Sequence, residues 1–90
     1  MNNLNISQAI SLMREGMPVA RLDWENDRFI YLVPANEYPA QTEVAKTLAK
    51  ENGKVPYLEY IAEATDKGIK MYSPTCEDIL AEDWITVKLA

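Results

Sequence analysis

The sequence predicts an α+β domain in which an N-terminal helix packs on an antiparallel sheet of about five strands, with two short additional helices. Three observations carry that expectation. Strand-like runs are separated by short turn signals, the mark of hairpin connections. No strand-helix-strand unit of the kind a parallel sheet requires is visible, and the clearest helical periodicity stands alone near the N-terminus.

From Ile6 the apolar residues fall at Ile6, Ala9, Ile10 and Met13, the i, i+3, i+4, i+7 spacing of a helix with one buried stripe. Asn5 or Ser7 suits its start and Gly16 its end. Val19 to Leu22 reads as a short strand, and the polar stretch Asp23 to Asp27, interrupted by Trp24, turns the chain into the next strand, Arg28 to Val33. That strand is apolar on both alternating sets, Phe29, Tyr31 and Val33 against Ile30 and Leu32, so it belongs at the centre of the sheet or beneath a partner subunit. Pro34 and Pro39 frame a loop. Thr42 then caps a short helix with Val44, Ala45, Leu48 and Ala49 inward and Gly53 at its end.

Val55 to Ala62 reads as a strand, Thr65 to Gly68 as a turn, and Ile69 to Ser73 as the returning strand. Ser73-Pro74-Thr75-Cys76-Glu77-Asp78 has the proline and carboxylates that open a helix, here a short one to Ala81. Trp84 to Leu89 is the last strand. Alternation is expected to turn Ile69, Met71, Ile85, Val87 and Leu89 toward the helix-covered core and Lys70, Tyr72, Trp84, Thr86 and Lys88 away from it. The second set would place aromatic faces beside cations, which suits a stacked anionic ligand, a subunit interface, or an ordinary sheet face with snorkelling lysines.

Ninety residues, 48% of them hydrophobic, with five Pro and three Gly, fit one domain over residues 1–90. A net charge of −5 opposes binding to duplex nucleic acid or to an anionic membrane, yet leaves room for one small anion at a local group of arginines. Cys76 is the one cysteine, and no secretory signal or membrane-spanning run is evident, so a reducing cytoplasm is expected. With no histidine, His-based triads, zinc-protease motifs and imidazole bases are excluded. The expectation is a non-enzymatic binding protein with no catalytic residue, no metal site and no cofactor. The competing enzyme reading is phosphodiester hydrolysis at a carboxylate pair or a Mg²⁺ site drawn from Glu59, Glu63, Asp78, Glu82 and Asp83, whose spacing matches no metal-binding loop. A third reading is an inhibitor or antitoxin-like module that uses its acidic surface against a basic protein.

The candidate ligand residues follow from residue type. Trp24 presents a large π-face in a polar turn, and Arg21 and Arg28 flank it with paired N–H donors suited to a small anion, although both also fit a solvated hairpin rim. Asp78 and Asp83 could accept from ligand hydroxyls or serve the ends of the short helix. Tyr72 and Ser73 adjoin that helix's N-terminus, Trp84 suits either packing or an interface, and Cys76 is a small apolar filler.

One set of residues has the order of a known family. Met17-Pro18-Val19-Ala20-Arg21 with Trp24, Ile30-Tyr31-Leu32-Val33-Pro34, Pro56-Tyr57, and the run Tyr72-Ser73-Pro74-Thr75-Cys76-Glu77-Asp78-Ile79-Leu80-Ala81-Glu82-Asp83-Trp84 resemble the second Thoeris anti-defence family, phage-encoded proteins long classed as a domain of unknown function. Tyr72 stands where many relatives carry Trp, and Glu25 follows the first Trp where Asn is frequent. The resemblance implies a homotetramer, a dimer of dimers, with pockets shared between subunits. It also implies a sponge that sequesters a cyclic ADP-ribose isomer or another cyclic nucleotide without cleaving it, so that the Thoeris effector stays off. The ligand-binding residues expected are Trp24, Arg21, Arg28, Tyr72, Ser73, Asp78 and Trp84.

Overall fold

The N-terminal helix is held at both ends by local chemistry. In the computed structural model, which describes residues 3–89, helix α1 spans Ile6–Arg14. The Asn5 side chain accepts from the Gln8 backbone N–H, and the Gln8 side chain accepts from the Asn5 N–H, both at 2.9 Å. This reciprocal box satisfies two of the orphan donors that every helix start leaves. At the other end Gly16 takes φ 91°, and the Gly16 and Met17 N–H groups bond the Met13 and Leu12 carbonyls at 3.0 and 3.1 Å. Only glycine enters that backbone region without strain, so this residue stops the helix and turns the chain into the sheet.

The remaining elements are β1 (Val19–Arg21), β2 (Phe29–Val33), β3 (Asn36–Pro39), α2 (Glu43–Leu48), β4 (Lys54–Tyr57), β5 (Tyr60–Thr65), β6 (Gly68–Met71), α3 (Cys76–Leu80) and β7 (Trp84–Thr86). A five-stranded sheet runs β6-β5-β2-β1-β7, and β3 and β4 form a separate two-stranded ribbon. Every pairing is antiparallel. The expected class therefore holds, and β2, apolar on both faces, sits at the centre, one of the two placements its pattern allowed. Leu4 borders β7 on the outside, exchanging two backbone hydrogen bonds with Trp84 at 2.8 and 3.0 Å.

The face that the helix covers is the opposite of the one alternation suggested. Tyr72 and Trp84 are buried with Ala9, Met13, Val19 and Ile30, whereas Ile69 and Met71 are 63% and 66% exposed and Leu89 is also exposed. Cross-strand register fixes this: Arg21 lies opposite Trp84, Val19 opposite both Thr86 and Ile30, and Ile30 opposite Glu63, so these side chains share the α1 face. Alternation favoured the wholly apolar set, but the two lysines that counted against the other, Lys70 and Lys88, stand at exposed positions while Tyr72 and Trp84 between them are buried. Size chooses instead. The small Ala9 and the pliable Met13 of α1 leave space that the large aromatic rings fill, with each fully buried large side chain contributing about 1.5–3 kcal/mol.

Three further expectations change. Pro34 to Pro39 is not all loop, because Asn36–Pro39 pairs with Lys54–Tyr57. The run Val55 to Ala62 is not one strand, because it breaks at Leu58-Glu59 and passes from the ribbon into the main sheet. Pro56 is compatible with β4 because each strand of a two-stranded ribbon is an edge and one side of it needs no donor. The inward set proposed for α2 is also overturned: Val44 and Leu48 are 73% and 66% exposed, and only Ala45 and Ala49 are half-buried. Helix α2 packs on β4, and β3 and β4 pack on one another, so residues 34–58 form an arm that lengthens the molecule to 49 × 28 × 25 Å. The arm has too little of its own chain beneath α2 to bury the apolar side of that helix.

Candidate ligand-binding site

The end of β1, the turn after it, the end of β6 and the start of α3 meet at one end of the main sheet. Asp78 ties them together. Its Oδ2 accepts from the Tyr72 hydroxyl at 2.6 Å and from the Thr75 N–H at 3.2 Å, and its Oδ1 accepts from Arg21 Nη1 at 3.1 Å. Its backbone carbonyl takes the Trp84 indole N–H at 3.1 Å, and its own N–H bonds the Thr75 hydroxyl, completing a capping box on α3. Burial alone would raise the Asp78 carboxyl; the Tyr72, Thr75 and Arg21 donors outweigh it and hold the group below its ordinary value. Burial first, and the bond to Asp78 second, push the Tyr72 phenol up, so it acts as a donor.

The two arginines have different duties. Arg21 uses all three nitrogens: Nε and Nη2 bond Asp83 at 2.9 and 3.4 Å, and Nη1 bonds Asp78. Its side chain is 14% exposed, and its hydrogen bond to Asp83 is the leading cause that raises an already high pKa. Arg28 lies with its guanidinium carbon 3.9 Å from the Trp24 ring centroid, a cation–π stack, and only its Nε is taken, by Glu63 Oε2 at 2.7 Å. Among the described residues neither terminal nitrogen of Arg28 has a protein acceptor, and no buried side-chain polar atom lacks a partner, so these nitrogens open to solvent.

Trp24 is half-buried and meets Trp84 and Tyr72 edge-on, with centroids 5.3 and 6.1 Å away. A cleft of about 340 Å³ opens beside it, lined by Arg21, Asp23, Trp24, Glu25, Arg28, Thr75, Glu77 and Asp78. Four of the seven residues expected from sequence, Arg21, Trp24, Arg28 and Asp78, therefore line one cleft. Tyr72 and Trp84 stand beneath it as buried supports, and Ser73 is exposed outside its lining. A larger, open depression of about 500 Å³ over the turn at Thr65–Lys70 contains neither an arginine nor an aromatic ring.

Glu63 is the contributor that the sequence reading left among generic carboxylates. A signal existed: it sits in β5 between Ala62 and Ala64, and a charged residue buried in a small-residue strand requires a partner. Among the described residues no group of three or more Cys, Asp or Glu side chains converges to hold a metal, and no helix is long and apolar enough to cross a membrane.

The Asp78 network predicts acid sensitivity. Stability from a carboxylate depressed in the folded state is complete above the unfolded value near 4 and is lost as pH falls through the lower folded value. Thermal melts should therefore show a falling Tm below about pH 4, with a shallower fall in Asp78→Asn. An identical acid limb in the two proteins would assign the effect to other carboxylates.

The model of the Thoeris anti-defense 2-like domain matches residues 4–87. The chain belongs to that family. The match runs from before α1 to just beyond β7 and so includes every residue of the cleft. Membership of the Thoeris anti-defense 2-like family supports an anti-Thoeris function. A search of curated proteins finds no match to the chain.

Proposed function

We propose that this Thoeris anti-defense 2-like chain is a cytoplasmic sponge that binds a cyclic ADP-ribose isomer or related cyclic nucleotide, does not cleave it, and so keeps the Thoeris effector inactive. The observation that carries the reading is the Trp24–Arg28 stack, whose free terminal nitrogens stand at a cleft rimmed by hydroxyl-accepting carboxylates. Such a ligand has flat bases, a pyrophosphate and ribose hydroxyls. A base stacks at the Trp24–Arg28 layer, the Arg28 fork takes a phosphate oxygen pair, and Asp23, Glu25 or Glu77 accepts from ribose. Asp78 Oδ1, with the Arg21 bond alone, retains a lone pair for a hydroxyl. Capture needs no nucleophile and no base, and a sponge works only while its ligand survives.

The assembly proposed is a homotetramer, a dimer of dimers. Its support is exposed apolar surface in two places: the sheet face opposite α1, carrying Ile69 and Met71, and the arm, carrying Val44, Leu48 and Leu58. A stable interface covers about 800 Å² on each partner, and these two surfaces supply apolar area for it. The cleft of one chain offers one free guanidinium against several carboxylates, so a neighbouring subunit across it would complete a pocket for a doubly charged ligand.

The test is to incubate the purified protein with a panel of cyclic nucleotides, remove the unbound fraction, denature the protein by heat and identify what is released. Intact nucleotide is expected; a linear product would establish hydrolysis, and no retained nucleotide would favour a protein partner. Light scattering on the same sample should give a tetramer mass, and a monomer would end the shared-pocket arrangement. Trp24→Ala should weaken retention by about 1–3 kcal/mol with the mass unchanged. Full retention by that variant would move the pocket elsewhere.

A further inference from the structure

We propose that Glu63 is a positioning residue, which pins Arg28 through Nε so that the two terminal nitrogens are presented as a ready fork for an oxyanion. The inference rests on the cleft being an anionic-ligand site, and it assigns a role to a side chain that does not line that cleft.

Glu63 lies in β5 opposite Ile30, on the α1 face of the sheet, and is 8% exposed. A carboxylate there loses hydration that an apolar side chain would not need, so its retention calls for a compensating partner. Two cations are near in the register: Lys70 directly across the strand pair, and Arg28 just before β2. Glu63 bonds Arg28 at 2.7 Å and makes no ion pair with Lys70.

The form of that bond distinguishes it from the other arginine pair. Arg21 meets Asp83 in a two-point grip and gives its third nitrogen to Asp78, which spends the guanidinium on the fold. Glu63 takes Nε alone. A single bond at Nε restricts rotation about the Cδ–Nε bond, while the Trp24 ring, 3.9 Å from the guanidinium carbon, fixes the plane. Together they hold the guanidinium in one orientation before any ligand arrives, and a fork held in advance loses less side-chain freedom on binding. Glu63 also keeps a negative charge close to Arg28, so the bound anion is met by directional donors more than by bulk positive charge.

Glu63→Gln and Glu63→Leu separate orientation from charge. Gln retains an oxygen acceptor for Nε; Leu does not. In ligand-free protein the Arg28 Nε–H resonance, assigned by its loss in Arg28→Lys, should exchange slowly with water in the wild type and in Glu63→Gln, and rapidly in Glu63→Leu. Titration with inorganic pyrophosphate, followed by tryptophan fluorescence, should show Glu63→Gln binding at least as tightly as the wild type, because one repelling charge is gone. Glu63→Leu should bind about tenfold more weakly or worse. Thermal melts establish that both variants are folded. If Glu63→Leu does not fold, Glu63→Ala, which also leaves Nε without an acceptor, takes its place with the same expected loss of slow Nε–H exchange and of pyrophosphate binding.

Equal weakening in the Gln and Leu variants, or no weakening in the folded Leu variant, would overturn the assignment. So would a wild type that ignores pyrophosphate, even if it retained a cyclic nucleotide through other contacts. The converse result, pyrophosphate binding with the expected pattern but no cyclic nucleotide retained, would sink the sponge reading and leave the role of Glu63 standing.

Discussion

Trp84→Ala is expected to destabilise the protein by about 3–5 kcal/mol, the range for removing a large buried aromatic side chain, and to leave it mostly unfolded at 37 °C. Trp84 has no exposed surface, packs in the core with Met13 and Ala9, and receives the edge contact of Trp24. Its indole N–H also bonds the Asp78 carbonyl at 3.1 Å, so the deletion leaves a cavity and reduces that carbonyl to its longer bond from the Ala81 N–H at 3.4 Å. Small domains have about 5–15 kcal/mol in total, so the loss is a large share of it. Trp84→Phe, which restores most of the volume but not the donor, should recover much of the stability in urea unfolding. A Trp84→Ala variant with an unchanged midpoint would mean that the ring is not part of the core.

Asp78→Ala should cost about 3 kcal/mol, although the side chain removed is small. The change strips an acceptor from the buried Tyr72 hydroxyl, from the Thr75 N–H and from Arg21 Nη1 at once. At roughly 4–8 °C per kcal/mol for a chain of this size, Tm should fall by about 12–24 °C. Tyr72→Phe in the same background should regain part of the loss, because it removes the stranded hydroxyl. A double mutant in which the two losses simply add would show that Tyr72 and Asp78 act independently.

Local features were the legible ones. Asn5 or Ser7 and Gly16 marked the ends of α1, the proline and carboxylates of Ser73 to Asp78 marked the start of α3, and Arg28 to Val33 announced a strand covered on both faces, because each signal is complete within a few residues. The burial of Tyr72 and Trp84 was not legible, since they alternate in register with Lys70 and Lys88 and the choice of face depends on what α1 offers against the sheet. The arm escaped for a similar reason. Val44 and Leu48 have the spacing of a buried stripe, but what lies beneath a helix is set by tertiary structure. Within the site, residue type pointed to Arg21 and Arg28 equally. Only geometry shows that Arg21 is consumed by Asp78 and Asp83 while Arg28 keeps two nitrogens free.

The strand order has a consequence for how the chain acquires its structure. β7 comes last in sequence yet lies beside β1, and it carries the largest buried side chain of the core. A ribosome that has released everything through β6 has made a sheet whose β1 edge is unpaired and whose central indole is missing. The emerging chain must wait for Trp84 before α1 has its principal partner, and the loop then closed between β1 and β7 spans most of the molecule. Folding should therefore be a late, all-or-none event, with the exposed β1 edge the segment most vulnerable to mispairing while synthesis is still under way.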